Sequence, residues 1–122
     1  MYLGVDYYPE QWDAEMLSKD LKRMQDSEIN IVLLAEFAWP MFEPSDGVFD
    51  FTYFDNVIEQ VKKHNIDIMF CTPTATMPMW LVKKDPSVLS EDENGIKRNF
   101  GGRRQGHIKL AIDRFLSNYL VF

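Results

Sequence analysis

The sequence predicts an α/β fold in which a parallel sheet is assembled from successive strand–helix units. Three observations predict it. Short apolar runs recur at residues 2–8, 29–35 and 66–72. Stretches with helical spacing of apolar residues separate them. Each run also leads into carboxylates, aromatics or hydroxyls: Glu10 and Trp12, then Glu36 and Trp39, then Thr72, Thr74 and Thr76. In parallel α/β folds, ligand sites are built beyond the carboxyl ends of the strands.

The elements follow in order. Residues 2–8 read as the first strand. Asp13 can cap a helix in which Leu17, Leu21 and Met24 recur at i, i+4 and i+7, with Lys19, Asp20, Lys22 and Arg23 on the other face. Residues 29–35 form a second, apolar strand of the kind buried on both faces of a parallel sheet. Residues 40–50 are a loop, with turn chemistry at Pro44, Ser45, Asp46 and Gly47. A second helix over 52–64 carries Phe54, Val57, Ile58 and Val61 on one stripe, and the third strand is 66–72. This β-α-β-α-β order calls for parallel pairing and crossover connections. Residues 73–107 read as a long loop rich in Pro, Gly and charge, anchored at Trp80, Leu81 and Val82. Residues 108–122 have helical spacing, with Ile108, Ile112, Phe115, Leu116 and Tyr119 apolar.

Composition bounds the reading. The 122 residues, 46% hydrophobic, suffice for one small domain with a core. A closed eight-unit barrel takes roughly 250 residues. The net charge of −6 argues against nucleic acid as a partner. The single cysteine, Cys71, allows no internal disulfide, and its apolar run predicts a buried, inert thiol. No apolar run reaches the roughly 18 residues of a membrane span. These features lead to the expectation of a soluble cytoplasmic protein.

The residues that carry chemistry have two readings each. Glu10 and Trp12 can bind and stack a sugar, or serve as a turn carboxylate and a half-buried aromatic. Glu36 directly follows the second strand, where a charge is costly unless paired; a buried ion pair and a pocket role both fit. Trp39 can line a pocket or pack between helices. The hydroxyls of Thr72, Thr74 and Thr76 can reach a ligand or satisfy backbone groups. Met77, Pro78, Met79 and Trp80 suit a substrate wall or a subunit contact. Phe100-Gly101-Gly102-Arg103-Arg104 places guanidiniums after paired glycines, where they can fork two acceptors or lie solvated. His64 reads as a surface residue. No phosphate-binding loop, dinucleotide fingerprint, nucleophile elbow or multi-ligand metal spacing occurs.

Four blocks stand together in order: residues 4–12; Glu36-Phe37-Ala38-Trp39 with Phe42-Glu43-Pro44 and Gly47-Val48-Phe49-Asp50-Phe51; residues 72–80; and residues 100–104. Over residues 2–106 they resemble the N-terminal part of glycoside hydrolase family 42 β-galactosidases. The resemblance implies the first three βα units of a (β/α)8 TIM barrel, a partial barrel over residues 1–107; beyond Gly106 the likeness ends, and 108–122 is a divergent segment whose apolar spacing reads as helical. It implies retaining hydrolysis of terminal β-D-galactosides, with a galactoside as partner and no cofactor, nucleic acid or membrane. Arg103 falls on the family's sugar-binding arginine. Glu10, Glu36, Trp39, Thr72 and Trp80 are the candidate pocket lining. The family's acid/base, the Glu of an Asn-Glu pair after the fourth strand, and its later nucleophile have no counterpart, so no catalytic residue is assigned. Asp6 stands where many relatives carry Cys or a small residue. Some members hold zinc with four cysteines, the first near the position of His107; that cysteine is absent, and no metal is expected. The expectation is a truncated barrel, inactive alone and prone to self-association, whose full-length relatives are homo-oligomers. The alternatives are a non-catalytic remnant, a piece that complements another chain, and a free-standing α/β carbohydrate-binding or interaction module.

Overall fold

A computed structural model of the chain describes residues 1–98. The expectations placed on Phe100, Gly101, Gly102, Arg103, Arg104, His107 and residues 108–122 lie outside the described residues. The chain divides into two units, Met1–Ala35 with Phe51–Cys71, and Glu36–Asp50 with the chain from Thr72.

The first unit holds a three-stranded parallel sheet, β1 (Gly4–Asp6), β2 (Ile31–Leu34) and β3 (Asp67–Phe70), in that order. The register aligns Gly4, Ile31 and Asp67 in one row and Asp6, Leu33 and Met69 in another. Each strand is shorter than its apolar run, because pairing stops where the chain turns. Asn30, inside the second run, uses its side chain to receive the Leu3 N–H at 2.9 Å and to donate to the Met1 carbonyl at 3.0 Å.

Helix α1 (Ala14–Asp26) starts where Asp13 predicts, its carboxylate accepting the Met16 N–H at 2.9 Å. Such a cap contributes about 1 kcal/mol. Leu17, Leu21 and Met24 are buried as their spacing requires. After β2, helix α3 (Thr52–Lys63) buries Phe54, Val57 and Val61 and ends in Lys62 and Lys63, which suit the negative end of its dipole. Between them lies a one-turn helix, α2 (Trp39–Phe42). Val32 and Leu34 are buried while Ile31 and Leu33 are only half-buried, so one face of the sheet is covered and the other is open among the described residues. The Phe54 and Phe70 rings meet edge to face, 6.0 Å between centroids. At Gly4 a Cβ would come within 2.7 Å of the Ile31 side chain and 3.2 Å of its carbonyl oxygen, so the absence of a side chain lets β1 and β2 pair.

Both helices end in the same way. Glu28 and Asn65 have φ of 59° and 56°. The Ile29 N–H returns to the Met24 carbonyl at 2.9 Å, and the Ile66 N–H to the Val61 carbonyl at 3.4 Å. These are Schellman closures, each followed by an isoleucine that enters the next strand.

The second unit corrects two expectations. Residues 40–42, expected as the start of a loop, belong to α2, in which Pro40 occupies a first-turn position that needs no N–H. Over its described part, residues 73–98, the segment expected as a loop with one anchor forms α4 (Met79–Lys84) and a 3-10 turn over Pro86–Val88. Asp85 caps that turn by accepting the Ser87 N–H at 3.0 Å. Trp39, Met77, Leu81 and Val88 form its core, with Trp80, Val82 and Leu89 packed against them. Cys71, expected to be buried, is half-buried one residue past β3. No helix of the described residues is long and apolar enough to cross a membrane.

Glu28 holds a left-handed backbone that glycine adopts without its Cβ penalty. Replacing Glu28 with glycine should raise unfolding free energy by about 0.5–1 kcal/mol after the loss of unfolded-state restriction is counted. Urea denaturation of the two chains measures it, with an unchanged slope expected.

Candidate active site

The strand ends of the first unit bring two carboxylates into different surroundings. Asp6 ends β1 on the open face of the sheet. With Gly4, Val5, Ile31, Leu33 and Met69 it lines a concavity of about 350 Å³. Its row is otherwise apolar, Leu33 and Met69. Sequence reasoning noted Asp6 only as a departure. The strand period, which puts Gly4 and Asp6 on one face and Val5 on the other, was the signal that could have found it.

Glu10 lies in a 3-10 turn, Pro9–Gln11, beyond β1. Its Oε2 is buried and has no hydrogen-bond partner among the described residues. Burial pushes its carboxyl above the usual range, and its own backbone N–H offsets this only in part. Burial, then the Asp20 carboxylate, push the Tyr7 phenol well up; the Tyr7 hydroxyl donates to Asp20 at 3.4 Å. Burial and the charge of Glu10 push the Tyr53 phenol up as well. Tyr7, Glu10 and Tyr53 thus form a cluster that disfavours negative charge. Trp12 is 59% exposed rather than half-buried. It borders a groove of about 460 Å³ along α1 with Tyr7, Met16, Asp20 and Arg23, not the concavity beside Asp6.

In the second unit, Glu36 is half-buried and leaves β2 through Ala35, whose φ of 70° is left-handed. Thr72 is exposed, and Thr74 and Thr76 are half-buried. Trp39 is 0% exposed and belongs to the core, so of its two readings packing is the one realised. Its indole N–H donates to Glu43 Oε2 at 2.8 Å. Glu43 Oε1 receives the Gly47 N–H at 3.0 Å, and the Glu43 carbonyl receives the indole N–H of half-buried Trp80 at 2.8 Å. Lys84 pairs with Asp46. Sequence reasoning did not promote Glu43. Its spacing of four residues from Trp39 on a helical turn, just before Pro44, was the available signal.

Chemically, the first unit supplies an acceptor, Asp6, and a carboxyl, Glu10, whose charged form burial disfavours. The second unit supplies the Glu36 carboxylate, the hydroxyls of Thr72, Thr74 and Thr76, and the Trp80 indole. Groups of these kinds can hydrogen-bond a polyhydroxylated ligand. Among the described residues no group of three or more His, Cys, Asp or Glu side chains is arranged to hold a metal.

The sequence model of the family described as Beta-galactosidase, glycoside hydrolase family 42, matches residues 6–115. The chain is 48% identical over 101 residues to a β-galactosidase of Geobacillus kaustophilus, covering 83% of this chain and 15% of that protein. It is 44% identical over 104 residues to the β-galactosidase Bga of Halorubrum lacusprofundi, covering 85% of this chain and 15% of that protein. The solved structure of the polyextremophilic β-galactosidase from the Antarctic haloarchaeon Halorubrum lacusprofundi is similar, with a TM-score of 0.86 at 39% identity over 96% of this chain and 18% of that one. The chain therefore spans about 15% of the length of these curated relatives.

The raised carboxyl of Glu10 sets a pH dependence. The folded chain keeps this proton to higher pH than the unfolded chain. The resulting stability is complete below the unfolded value and is lost as pH rises through the folded one. Above the folded value the wild type carries the desolvated charge, so Glu10→Gln should melt higher there, the gap closing in acid. Thermal melts of both chains from acid to alkaline pH measure it; a variant that melts lower than the wild type at the alkaline end would sink the assignment.

Proposed function

From the premise that this chain belongs to the glycoside hydrolase family 42 β-galactosidases and folds as the first three strand–helix units of their (β/α)8 barrel, we propose that it builds the sugar-binding side of a galactoside pocket. The reaction is retaining hydrolysis of terminal non-reducing β-D-galactosides. The observation that carries this reading is the parallel ladder, β1 to β2 to β3, with hydroxyls, carboxylates and indoles following each strand end.

In this reading Arg103 grips the sugar, and Glu10, Glu36, Thr72 and Trp80 line the pocket. Retention needs two carboxyl groups flanking the bond, about 5–5.5 Å apart. The resemblance puts one of them in an Asn-Glu pair, and these 122 residues contain no such dipeptide. The polypeptide alone is therefore inactive, and hydrolysis requires the rest of a barrel. No nucleic acid takes part, in keeping with the net charge of −6. The single cysteine, which allows no internal disulfide, suits a cytoplasmic location.

Self-association follows from the sheet. Among the described residues the outer edges of β1 and β3 have no strand partner, and Ile31, Leu33 and Met69 lie on its open face. Unpaired edges template further pairing. Sedimentation of the isolated 122-residue chain at micromolar concentration should give dimers and larger species. A single sharp monomer boundary with cooperative melting would instead favour a free-standing module.

Arg103 provides the test of the sugar site. In a barrel completed with the remaining sequence of a relative, Arg103→Ala should lower kcat/KM for an aryl β-galactoside about tenfold to a hundredfold, the cost of a charged hydrogen bond. Arg104→Ala should cost less. Silence of both would remove this segment from the pocket, and a crippled Arg104→Ala beside a silent Arg103→Ala would shift the assignment by one residue.

A further inference from the structure

Every polar atom of Glu43 is engaged. Its N–H donates to the Trp39 carbonyl at 2.9 Å. Its two carboxylate oxygens take the Trp39 indole N–H at 2.8 Å and the Gly47 N–H at 3.0 Å. Its carbonyl takes the Trp80 indole N–H at 2.8 Å. The side chain is 0% exposed.

A buried carboxylate held by neutral donors is costly, and an apolar side chain of similar volume would pack without that cost. What the carboxylate supplies is geometry. Both of its oxygens are pure acceptors, so it can hold two N–H donors at once. A glutamine would turn its own N–H2 toward one of them. The two donors come from the ring of α2 and from the turn at Gly47, whose φ is +75°. Pro44 further confines Glu43 to an extended backbone, with φ of −133° and ψ of 76°. The carbonyl that receives Trp80 is thereby aimed by the side chain of the same residue. Lys84 and Asp46 tie α4 to the same turn at a second point.

We propose that Glu43 is a positioning residue for Trp80, setting the tilt of that indole as a wall of the galactoside pocket; this rests on the function proposed above. Glu43 touches no substrate. It acts through its own carbonyl, and the segments that follow β2 and β3 are carried as one body because both hang on it.

Two measurements test this. In the 122-residue chain with labelled tryptophan, the Trp80 indole N–H should lose its downfield shift and its exchange protection in Glu43→Gln. That substitution leaves the accepting main-chain carbonyl in place, so the loss reports the aim of the carbonyl. An unmoved Trp80 signal overturns the proposal. In the completed barrel, wild-type turnover is read first, and its absence overturns the proposed function and this inference together. With turnover present, Glu43→Gln should raise KM about tenfold with kcat within about twofold, the signature of lost uniform binding. Trp80→Phe should do the same, and the double variant should be no worse than Trp80→Phe alone. A fall in kcat at constant KM, as from a smaller folded fraction, or additive losses in the double variant, would overturn the positioning role and leave the proposed function standing.

Discussion

Parallel pairing of β2 with both of its neighbours is the constraint from which the rest follows. A parallel neighbour cannot be reached by a tight turn, so each connection must run back along the sheet. Helices α1 and α3 make those returns. They leave one face of the sheet covered, over Val32 and Leu34, and they direct every strand toward the same edge. The residues directly after the strands, Tyr7, Ala35 and Cys71, are therefore all delivered to that edge, the Tyr7 N–H bonding the Leu33 carbonyl and the Cys71 N–H the Leu34 carbonyl. Burying each of the large apolar side chains on the covered face is worth about 1.5–3 kcal/mol, far more than any surface ion pair along α1 contributes.

The same constraint explains where strain collects. A helix that must reverse into a parallel strand needs a residue with positive φ at its end, and Glu28 and Asn65 take that position. Asn tolerates it better than Glu does, since its short side chain bonds locally. Ala35 has the same hand at the other end of β2, directly before Glu36. A non-glycine residue persists in this region only when its surroundings over-determine it. At Glu28 and Asn65 the helix-closing bonds do so. At Ala35, fully buried, the packing around the strand end does.

Much of this was legible in the residues. The spacing of Leu17, Leu21 and Met24 and the cap at Asp13 predicted α1 and its buried face, and the three apolar runs predicted β1, β2 and β3 within a few residues at each end. Helix α4 was not legible, because six residues are too few to show a helical period. Its anchor, the bond from Trp80 to the Glu43 carbonyl, spans 37 residues of sequence. A window that reads neighbours cannot see it. The site divides in the same way. Residues just past a strand were identified as candidates by position alone. Whether each is exposed like Trp12, sealed like Trp39 or, like Glu10, left with an oxygen that has no partner among the described residues depends on packing from distant segments, which no local pattern encodes.

Glu10 and Glu43 make the point physically. Both are glutamates beyond strand ends, and both have buried oxygens. Glu43 meets a donor at each oxygen, and its carboxylate serves as a fixed acceptor that organises backbone. Among the described residues Glu10 keeps an oxygen without a donor, beside two phenols whose own ionisation is suppressed, so its environment disfavours the charged form. The difference between the two glutamates lies in the number of N–H groups that the fold brings within 3 Å of each.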